Sequence, residues 1–357
     1  MKITAQSEFS VQHPTSSIVA ALALLVPLAA TPTAYPQAPA SLGIETYAGL
    51  AINGTVGTVF AIEYVRDLVK TNENDWHCLA FFQLPATNHL WFDQTLPVRG
   101  QRFYRAVQFE QPTNMVFIPP GTYKEGSPDS EPDPCACEHP QTTVIISRGF
   151  WMGIYEVTQE EYRALMGTNP SYFNGGNYGI DLRRPVERVS WDDANNYCDR
   201  LTKQQLAAGR IPVGTGYRLP TMAEWQYACR AWTSTRFSYG DDPAYTDLAN
   251  YAWYKDNSGG MTWAVGLLLP NPWGLYDMHG NVWEWCQDWY QGFRPWLPGG
   301  IVVDPQGPAT GTSRMVGGGA FNYPGEACRS AVWNNFPQDY GSDGQIGFRV
   351  VLAAIQP

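Results

Sequence analysis

The stretch NPWGLYDMHGNVWEWCQDWY, residues 271–290, decides the fold of this chain because it concentrates aromatic side chains in one short segment. Trp283 and Trp285 alternate with Val282 and Glu284, and a period of two residues is typical of a β-strand. The pattern therefore predicts a strand with one apolar face and one face that carries polar groups.

The same stretch contains two acidic side chains that suit a bound cation. Asp277 and Glu284 could point their carboxylates at one centre, and intervening carbonyl oxygens could complete a cage of the kind that calcium prefers. Two acids alone fall short of the roughly 6–8 oxygens that calcium takes. A core strand with two solvated acids is therefore the alternative interpretation.

The motif GLYDMHGNVWEW at residues 274–285 resembles the hallmark of the formylglycine-generating enzyme family, also called the sulfatase-modifying-factor domain. Further segments match that family's landmarks in order, and the resemblance covers about residues 113–354. It implies an α+β domain of low secondary-structure content that is related to C-type lectins. The other matching segments are MVFIPPGTYKEGS (115–127), GFWMGIYEVTQEEY (149–162), PVERVSWDDANNYC (185–198), GYRLPTMAEWQYACRA (216–231), CRSA (328–331) and GFRVVLA (347–353).

The overall charge of the chain argues against two classes of partner. The 357 residues carry a formal net charge of −10. A nucleic-acid partner would require clustered Lys and Arg, and an anionic membrane surface would attract a basic segment. The composition therefore argues against both partners. A net negative charge agrees with calcium binding, although many proteins are acidic for solubility alone.

The first 40 residues are predicted to be a leader outside the fold. The apolar run 18–30 is too short to span a bilayer but suits the core of a signal peptide. Residues 38–40, Ala-Pro-Ala, supply a small-x-small cleavage pattern. We therefore expect export to the periplasm, the cell surface or the medium, with no stable membrane span after cleavage. An internal helix is the alternative, which the prolines around the run disfavour.

Two domains are predicted after the leader. Residues 41–110 consist of short alternating runs separated by Gly, Asn and Pro, which indicates a small β-sandwich-like domain. Residues 113–357 form the formylglycine-generating-enzyme-like domain. Within it, capping patterns predict three helices, which begin after Thr158, Ser190 and Thr221.

The family resemblance implies two structural calcium sites. The first would use the side chains of Asp277 and Glu284 with backbone oxygens of Gly280 and Val282. The resemblance maps a second site less closely, starting at Asn250 and the carbonyl oxygen of Tyr251. Its remaining ligands would come from the DNSGG segment, where Asp256, Asn257 and the Gly259 carbonyl stay open as alternatives.

The resemblance also identifies the place where catalysis would occur. Family oxidases bind copper(I) with a cysteine pair after a Gly-Gly-Ser sequence and convert a substrate cysteine to formylglycine. Gly318 and Gly319 match here, but Ala320 replaces the serine and Tyr323 stands at the first cysteine position. Cys328 falls where the second cysteine could be. Tyr323 and Cys328 are thus the only catalytic candidates, and copper binding is not expected.

A disulfide is the second interpretation of Cys328. By alignment from the GFR motif, Cys328 matches a family cysteine that bonds to the cysteine of the YACR helix, which is Cys229 here. We prefer this pairing for an oxidising compartment. The pairing of the other five cysteines stays open; these are Cys78, Cys135, Cys137, Cys198 and Cys286.

Aromatic and small polar residues near the C-terminus indicate a binding groove. Rigid aromatics interleaved with glycine and amide side chains are typical of adaptable binding surfaces. We predict a groove between the segments 273–290 and 320–345 that binds a peptide or a glycan. Formylglycine generation, or a divergent oxidation by the same family, is the alternative function. The groove residues are Trp283, Phe321, Asn322, Tyr323, Trp333 and Asn335.

Overall fold

The computed structural model describes residues 49–68, 75–93, 102–131, 138–292, 300–341 and 343–355. Its contacts divide the chain into two compact units, Met1–Glu110 and Gln111–Pro357. The predicted leader and the pair Cys135 and Cys137 lie outside the described residues.

The first unit is built from antiparallel strands. β1 (Gly49–Asn53) pairs with β4 (Asn88–Phe92), and β2 (Val59–Val65) lies between β3 (His77–Gln83) and β5 (Phe103–Gln108). Alternate residues of these strands face one apolar cluster, as a period of two requires. The predicted small all-β unit is confirmed. The buried members of its core are Leu50, Ile52, Ile62, Tyr64, Leu79, Leu84 and Tyr104.

Among the residues that the structure describes, the second unit combines three α-helices with three small sheets. The sheet orders are β10-β16-β9-β6, β14-β13-β11-β15 and β12-β8-β7. Few helices among short strands and long loops are what the predicted α+β class requires. The helices are α1 (Gln159–Met166), α2 (Trp191–Ala207) and α3 (Met222–Arg230); the strands are β6 (Met115–Ile118), β7 (Gly121–Glu125), β8 (Thr142–Ile146), β9 (Phe150–Gly153), β10 (Thr215–Arg218), β11 (Trp283–Tyr290), β12 (Ile301–Val303), β13 (Ser313–Gly317), β14 (Trp333–Phe336), β15 (Ile346–Gly347) and β16 (Val351–Ala354).

Each helix begins at the predicted capping residue. Thr158, Ser190 and Thr221 each accept a hydrogen bond from the backbone N–H three residues later, and the acidic side chain at that later position bonds back to the cap. Such a reciprocal arrangement satisfies two N–H groups that a helix leaves unpaired. Each cap is worth about 1 kcal/mol of helix stability.

Helix α3 lies at the centre of the second unit, and all nine of its residues are buried. The Trp225 ring packs so closely on β13 that a Cβ added at Gly317 would lie 2.8 Å from it. Residues 231–282, which follow α3, contain no strand or α-helix. In this segment side chains, instead of a neighbouring strand, accept backbone N–H groups. Asp242, for example, accepts the N–H groups of Thr246 and Asp247, each at 2.9 Å.

No helix among the residues that the structure describes is long and apolar enough to cross a membrane.

Candidate functional site

An open pocket of about 320 Å³ lies on the second unit. The loop after α1 forms one wall of this pocket, and the loops before α2, after β13 and before β15 form the others. We call it the aromatic pocket. It is lined by Tyr172, Phe173, Arg188, Phe321, Asn322, Asp343, Gly344 and Gln345.

The floor of the aromatic pocket consists of rings packed edge to face. Phe173 and Phe321 lie 5.1 Å apart at 84°, and Tyr172 meets Phe173 at 5.1 Å and the same angle. Edge-to-face geometry is favourable for aromatic pairs and fixes the orientation of each ring. Phe173 and Phe321 are almost entirely buried, whereas Tyr172 is 49% exposed. The floor is therefore rigid and apolar, with one ring that a ligand can reach.

A buried carboxylate holds this floor from beneath. Glu187 accepts the backbone N–H of Tyr172 at 3.0 Å and that of Phe173 at 2.9 Å. Burial raises the pKa of Glu187, against the opposing effect of these two hydrogen bonds. The next residue, Arg188, has a left-handed backbone with φ of 60°, which is uncommon for a non-glycine residue. Its guanidinium lies 4.8 Å from the centre of the Tyr172 ring.

The polar wall of the pocket is a chain of side-chain hydrogen bonds. Asn322 Nδ2 donates to Gln345 Oε1 at 3.1 Å, and Gln345 Nε2 donates to Asp343 Oδ2 at 3.2 Å. The Tyr340 hydroxyl donates to the same Asp343 oxygen. These bonds orient amide and carboxylate groups before any ligand arrives, which lowers the entropy cost of binding.

A second cavity of about 560 Å³ lies next to the first. Both cavities share Arg188 as a lining residue. Asp193 lines the second cavity while it caps α2, since its carboxylate accepts the Ser190 N–H at 3.0 Å. The two cavities are thus neighbours at Arg188, and we call them together the trough; the first is aromatic and the second is acidic. The second cavity is also lined by Ser190, Pro337, Asp339, Tyr340 and Gly341.

The structure places only part of the predicted groove in this trough. Phe321 and Asn322 line the aromatic pocket. Trp283 is buried, and the Tyr323 ring packs edge-on against it at 5.3 Å. Trp333 and Asn335 lie on β14, at the edge of the sheet opposite β15, and line neither cavity. The cavities are therefore walled by the predicted segment 320–345 together with the loops after α1 and before α2, and the predicted segment 273–290 lines neither of them.

Three of the missed residues belong to loops far away in sequence: Tyr172, Phe173 and Arg188 come from the segments around α1 and α2. Asp343 and Gln345 lie within the predicted segment 320–345 but were not named as groove residues. The adjacent aromatic pair in the sequence PSYFNGG was the available signal, because two rings in a glycine-rich loop need a packing partner.

The catalytic candidates lie in different surroundings. The Tyr323 ring packs on Trp283, and its carbonyl oxygen accepts the Lys255 N–H at 2.9 Å. Cys328 packs with Phe237 and Leu248 in a small buried cluster. Burial raises the pKa of the Cys328 thiol, which disfavours the thiolate that a nucleophile or a copper ligand requires.

The predicted disulfide between Cys229 and Cys328 is wrong in this structure, where both residues are buried free thiols. The two side chains pack in separate apolar clusters. His279 contacts both residues: its Nδ1 lies 2.8 Å from the Cys328 carbonyl oxygen and 4.0 Å from the Cys229 sulfur. Cys78 and Cys198 are also buried free thiols. Cys286 is buried as well, and its thiol lies 3.8 Å from the Glu284 carbonyl oxygen.

Asp277 and Glu284, the implied side-chain ligands of the first calcium site, already bond to other groups of the chain. Both oxygens of Glu284 bond to Arg349, at 2.6 Å each, and one of them also accepts the Trp225 indole N–H at 2.7 Å. Asp277 Oδ2 accepts the Gly266 N–H at 2.8 Å, which leaves only Oδ1 without a partner. Among the described residues, no group of three His, Cys, Asp or Glu side chains is arranged to hold a metal ion.

The residues of the second implied site serve the backbone. Asn257 accepts the Tyr254 N–H and donates to the Ala252 carbonyl, each at 2.8 Å. The Tyr251 ring stacks on Tyr239 at 4.1 Å, and the Asn250 carbonyl accepts the Leu269 N–H at 2.9 Å. Hydrogen bonds hold this loop where the resemblance implies an ion.

Comparison with known proteins agrees with the motifs. The model of the sulfatase-modifying factor enzyme 1-like domain family matches residues 102–354. The chain is 35% identical over 184 residues to the chaperone protein LppX of Paenibacillus barcinonensis, which covers 40% of this chain and 62% of that protein. It is 26% identical over 286 residues to the formylglycine-generating enzyme of Thermomonospora curvata, covering 64% of this chain and 87% of that enzyme.

A third relative shows how partial such matches can be. The chain is 30% identical over 230 residues to the serine/threonine-protein kinase pkn1 of Chlamydia caviae, which covers 58% of this chain but only 33% of the kinase. The chain thus spans less than two thirds of LppX and about a third of pkn1.

Two solved structures share the fold. Treponema denticola variable protein 1 superposes with a TM-score of 0.56 and 29% identity, over 72% of this chain and 98% of that protein. PvdO from Pseudomonas aeruginosa gives a TM-score of 0.56 and 28% identity, over 67% of this chain and 94% of that protein.

Proposed function

The chain belongs to the sulfatase-modifying factor enzyme 1-like family, and from that premise we propose that it is an exported member that binds a peptide or a glycan rather than oxidising a cysteine. The aromatic pocket carries this proposal. Its rigid ring floor and its pre-oriented amide wall make a recognition surface, and such surfaces use few rotatable groups.

The chemistry of the pocket suits an amphipathic ligand. Phe173 and Phe321 offer an apolar floor, while Asn322 and Asp343 offer hydrogen-bonding groups beside it. A cavity of about 320 Å³ lies within the range of roughly 300–1,000 Å³ that small-molecule sites occupy. A side chain of a peptide or one or two sugar rings would fill that volume.

The alternative is an oxidase that generates formylglycine on a sulfatase peptide, or a divergent oxidation at Tyr323 or Cys328. Similarity to the Thermomonospora curvata enzyme supports it. Against it, the family's copper pair corresponds here to one phenol and one thiol, and burial disfavours ionisation of that thiol. Copper(I) prefers thiolate ligands.

Export rests on the sequence of the leader alone. The apolar run 18–30 and the small-residue pattern at 38–40 support a signal peptide. Detection of the chain outside the cytoplasm with an N-terminus near Ser41 would support export. Full-length chain in the cytoplasm would contradict it.

Binding is tested by screening the purified chain on peptide and glycan arrays and then measuring affinity for the retained ligand. Tyr172→Ala and Asn322→Ala remove an exposed ring and an exposed amide from the pocket, and we expect each to weaken binding by about tenfold or more. Trp232→Ala is the matched control, because this indole is 73% exposed and lines neither cavity.

Binding that survives both pocket variants but fails in Trp232→Ala would place the ligand elsewhere. The oxidase alternative has its own assay, in which the chain is incubated with copper(I) and a Cys-x-Pro-x-Arg peptide. We expect no aldehyde product, and turnover that depends on Cys328 would overturn the proposed function.

A further inference from the structure

The side-chain hydrogen bonds on the polar wall of the aromatic pocket all run in one direction, and Asp343 sets it. A carboxylate can only accept hydrogen bonds, so the Tyr340 hydroxyl and Gln345 Nε2 must both donate to Asp343 Oδ2. The other end of the Gln345 amide is then an oxygen, which accepts Asn322 Nδ2 at 3.1 Å. Each of the two amides therefore turns its nitrogen towards Asp343.

This direction leaves an oxygen atom free at each end of the wall. Asn322 Oδ1 accepts no hydrogen bond from any residue that the structure describes, and neither does Asp343 Oδ1. Both side chains are exposed, so a ligand can reach these oxygens. One hydrogen of Asn322 Nδ2 is also free, but the carboxylate dominates, because a hydrogen bond to a charged group is about twice as strong as a neutral one. A ligand beside the ring floor therefore has to supply donors.

The charges that line the trough act in the same sense. Asp193, Asp339 and Asp343 contribute three carboxylates to its lining. Among the described lining residues, Arg188 contributes the one guanidinium, which packs on the floor 4.8 Å from the centre of the Tyr172 ring. A cleft whose walls carry a net negative charge raises the local concentration of cations. The trough therefore favours a cationic group over a neutral or an anionic one.

We propose that Asp343 makes the aromatic pocket selective for a cationic donor, an ammonium or a guanidinium group, that is carried beside an apolar group. The apolar group lies on the floor of Phe173 and Phe321, and the cation bonds to the free oxygens of the wall. A neutral glycan brings hydroxyl donors without the charge, and an acid would face the carboxylate. This inference rests on the proposed function and narrows its ligand.

Three small probes that share one phenyl ring test this selectivity on the full chain. Phenethylamine is a cation at neutral pH, 2-phenylethanol is neutral and 3-phenylpropionate is an anion, and NMR titration measures the affinity of each. We expect the amine to bind about tenfold more tightly than the acid, with the alcohol between them, and added salt to reduce the difference. An acid or alcohol that binds as tightly as the amine would overturn the inference, as would an amine that does not bind at millimolar concentration.

The variant Asp343→Asn removes the charge and keeps the shape of the side chain. Its oxygen can still accept from Tyr340 and Gln345, while its nitrogen replaces the free oxygen, so the advantage of the amine over the acid should be lost. Asp241→Asn is the matched control, because Asp241 lines neither cavity and its replacement can still accept the Arg236 N–H. A preference for the amine that survives in Asp343→Asn would show that Asp343 does not set the polarity of the wall.

Tyr172→Ala separates this inference from the proposed function. If this variant weakens all three probes but the wild type shows no preference for the amine, the pocket binds ligands and the charge inference is wrong. If it leaves amine binding unchanged, the aromatic pocket is not the site and the proposed function fails as well. Comparison of acetyl-Phe-Lys-amide with phenethylamine then identifies the source of the cation, since the tighter ligand shows whether a peptide or a small amine carries it.

Discussion

The motif 274–285 and the aromatic pocket differ in how their polar groups are satisfied. From Asp277 to Cys286 every residue is buried, and the polar side chains bond to other parts of the chain. In the pocket, by contrast, Tyr172, Arg188 and Asn322 keep much of their surface exposed. The segment that identifies the family is thus internal framework, and the surface that could bind lies on loops around it.

The two regions are nevertheless joined through their backbones. The Asn281 carbonyl accepts the Phe321 N–H at 2.9 Å, and the Trp283 N–H donates to the Gln345 carbonyl at 2.8 Å. The motif therefore fixes the positions of two pocket residues without contacting a ligand. Changes in the motif should cost stability, whereas changes at the rim of the pocket should cost binding.

The largest expected effect concerns pH and His279. Its Nε2 accepts from the Ser238 hydroxyl at 2.8 Å and from the Ser238 N–H at 3.2 Å. A proton added to Nε2 would therefore point at the Ser238 N–H, which is itself a donor. Burial lowers the pKa of His279 from 6.5 to about 4. As the pH falls below 6.5 the unfolded chain protonates this histidine, whereas the folded chain keeps it neutral until about pH 4. The free energy of unfolding is therefore highest above pH 6.5 and falls as the pH approaches 4. We expect a loss of about 3 kcal/mol in unfolding free energy across that window.

Urea unfolding at a series of pH values measures this loss, and His279→Gln is the control. Other buried acids change stability over the same range; burial, for example, raises the pKa of Asp277 to about 6 and acts in the opposite direction. The difference between wild type and His279→Gln cancels that contribution. Parallel curves for the two proteins between pH 4 and about 6.5 would show that His279 does not carry the effect.

The next effect compares two glycines of the same motif. Gly280 and Gly274 both have left-handed backbones, with φ of 134° and 81°. A Cβ at Gly280 would lie 2.4 Å from the Trp253 carbonyl oxygen, whereas one at Gly274 would meet nothing within 4 Å. Gly274→Ala should therefore cost only the backbone penalty of about 1–2 kcal/mol. Gly280→Ala should cost about 1–3 kcal/mol more, because backbone atoms must shift.

Chemical denaturation of the two alanine variants gives this difference directly. Equal losses of unfolding free energy would mean that the motif is not close-packed at Gly280. A larger loss at Gly274 would reverse the expected order.

Local rules were sufficient to predict the framework. The starts of α1, α2 and α3 followed from Thr158, Ser190 and Thr221, because capping depends on residues only three positions apart. The strand β11 followed from the alternation around Trp283, although both of its faces proved to be buried. The ion pair between Glu284 and Arg349 was not predicted, because the two residues are 65 positions apart and spacing does not reveal such a pair.

The pocket was less predictable for the same reason. Phe321 and Asn322 were identified, but Phe173, the partner of Phe321, comes from a distant loop that only the folded chain brings near. Gln345, the partner of Asn322, lies within the predicted segment, and its side-chain contact could not be read from spacing. The disulfide was predicted from an alignment, which gives no information on the His279 ring that contacts both cysteines.

The smallest expected change in stability comes with the clearest loss of binding, at Arg188. Its left-handed backbone destabilises the folded state by about 1–2 kcal/mol relative to glycine. Its contact with the Tyr172 ring stabilises the folded state by about 0.5–1 kcal/mol. Arg188→Gly should therefore change the unfolding free energy by less than about 1 kcal/mol. The same variant removes the residue shared by both cavities, so affinity for a ligand found on the arrays should fall by about tenfold or more.

Calorimetry of folding and of binding on one preparation of Arg188→Gly measures both quantities. A variant that loses stability but keeps its affinity would show that the strained backbone at Arg188 supports the framework instead of the pocket.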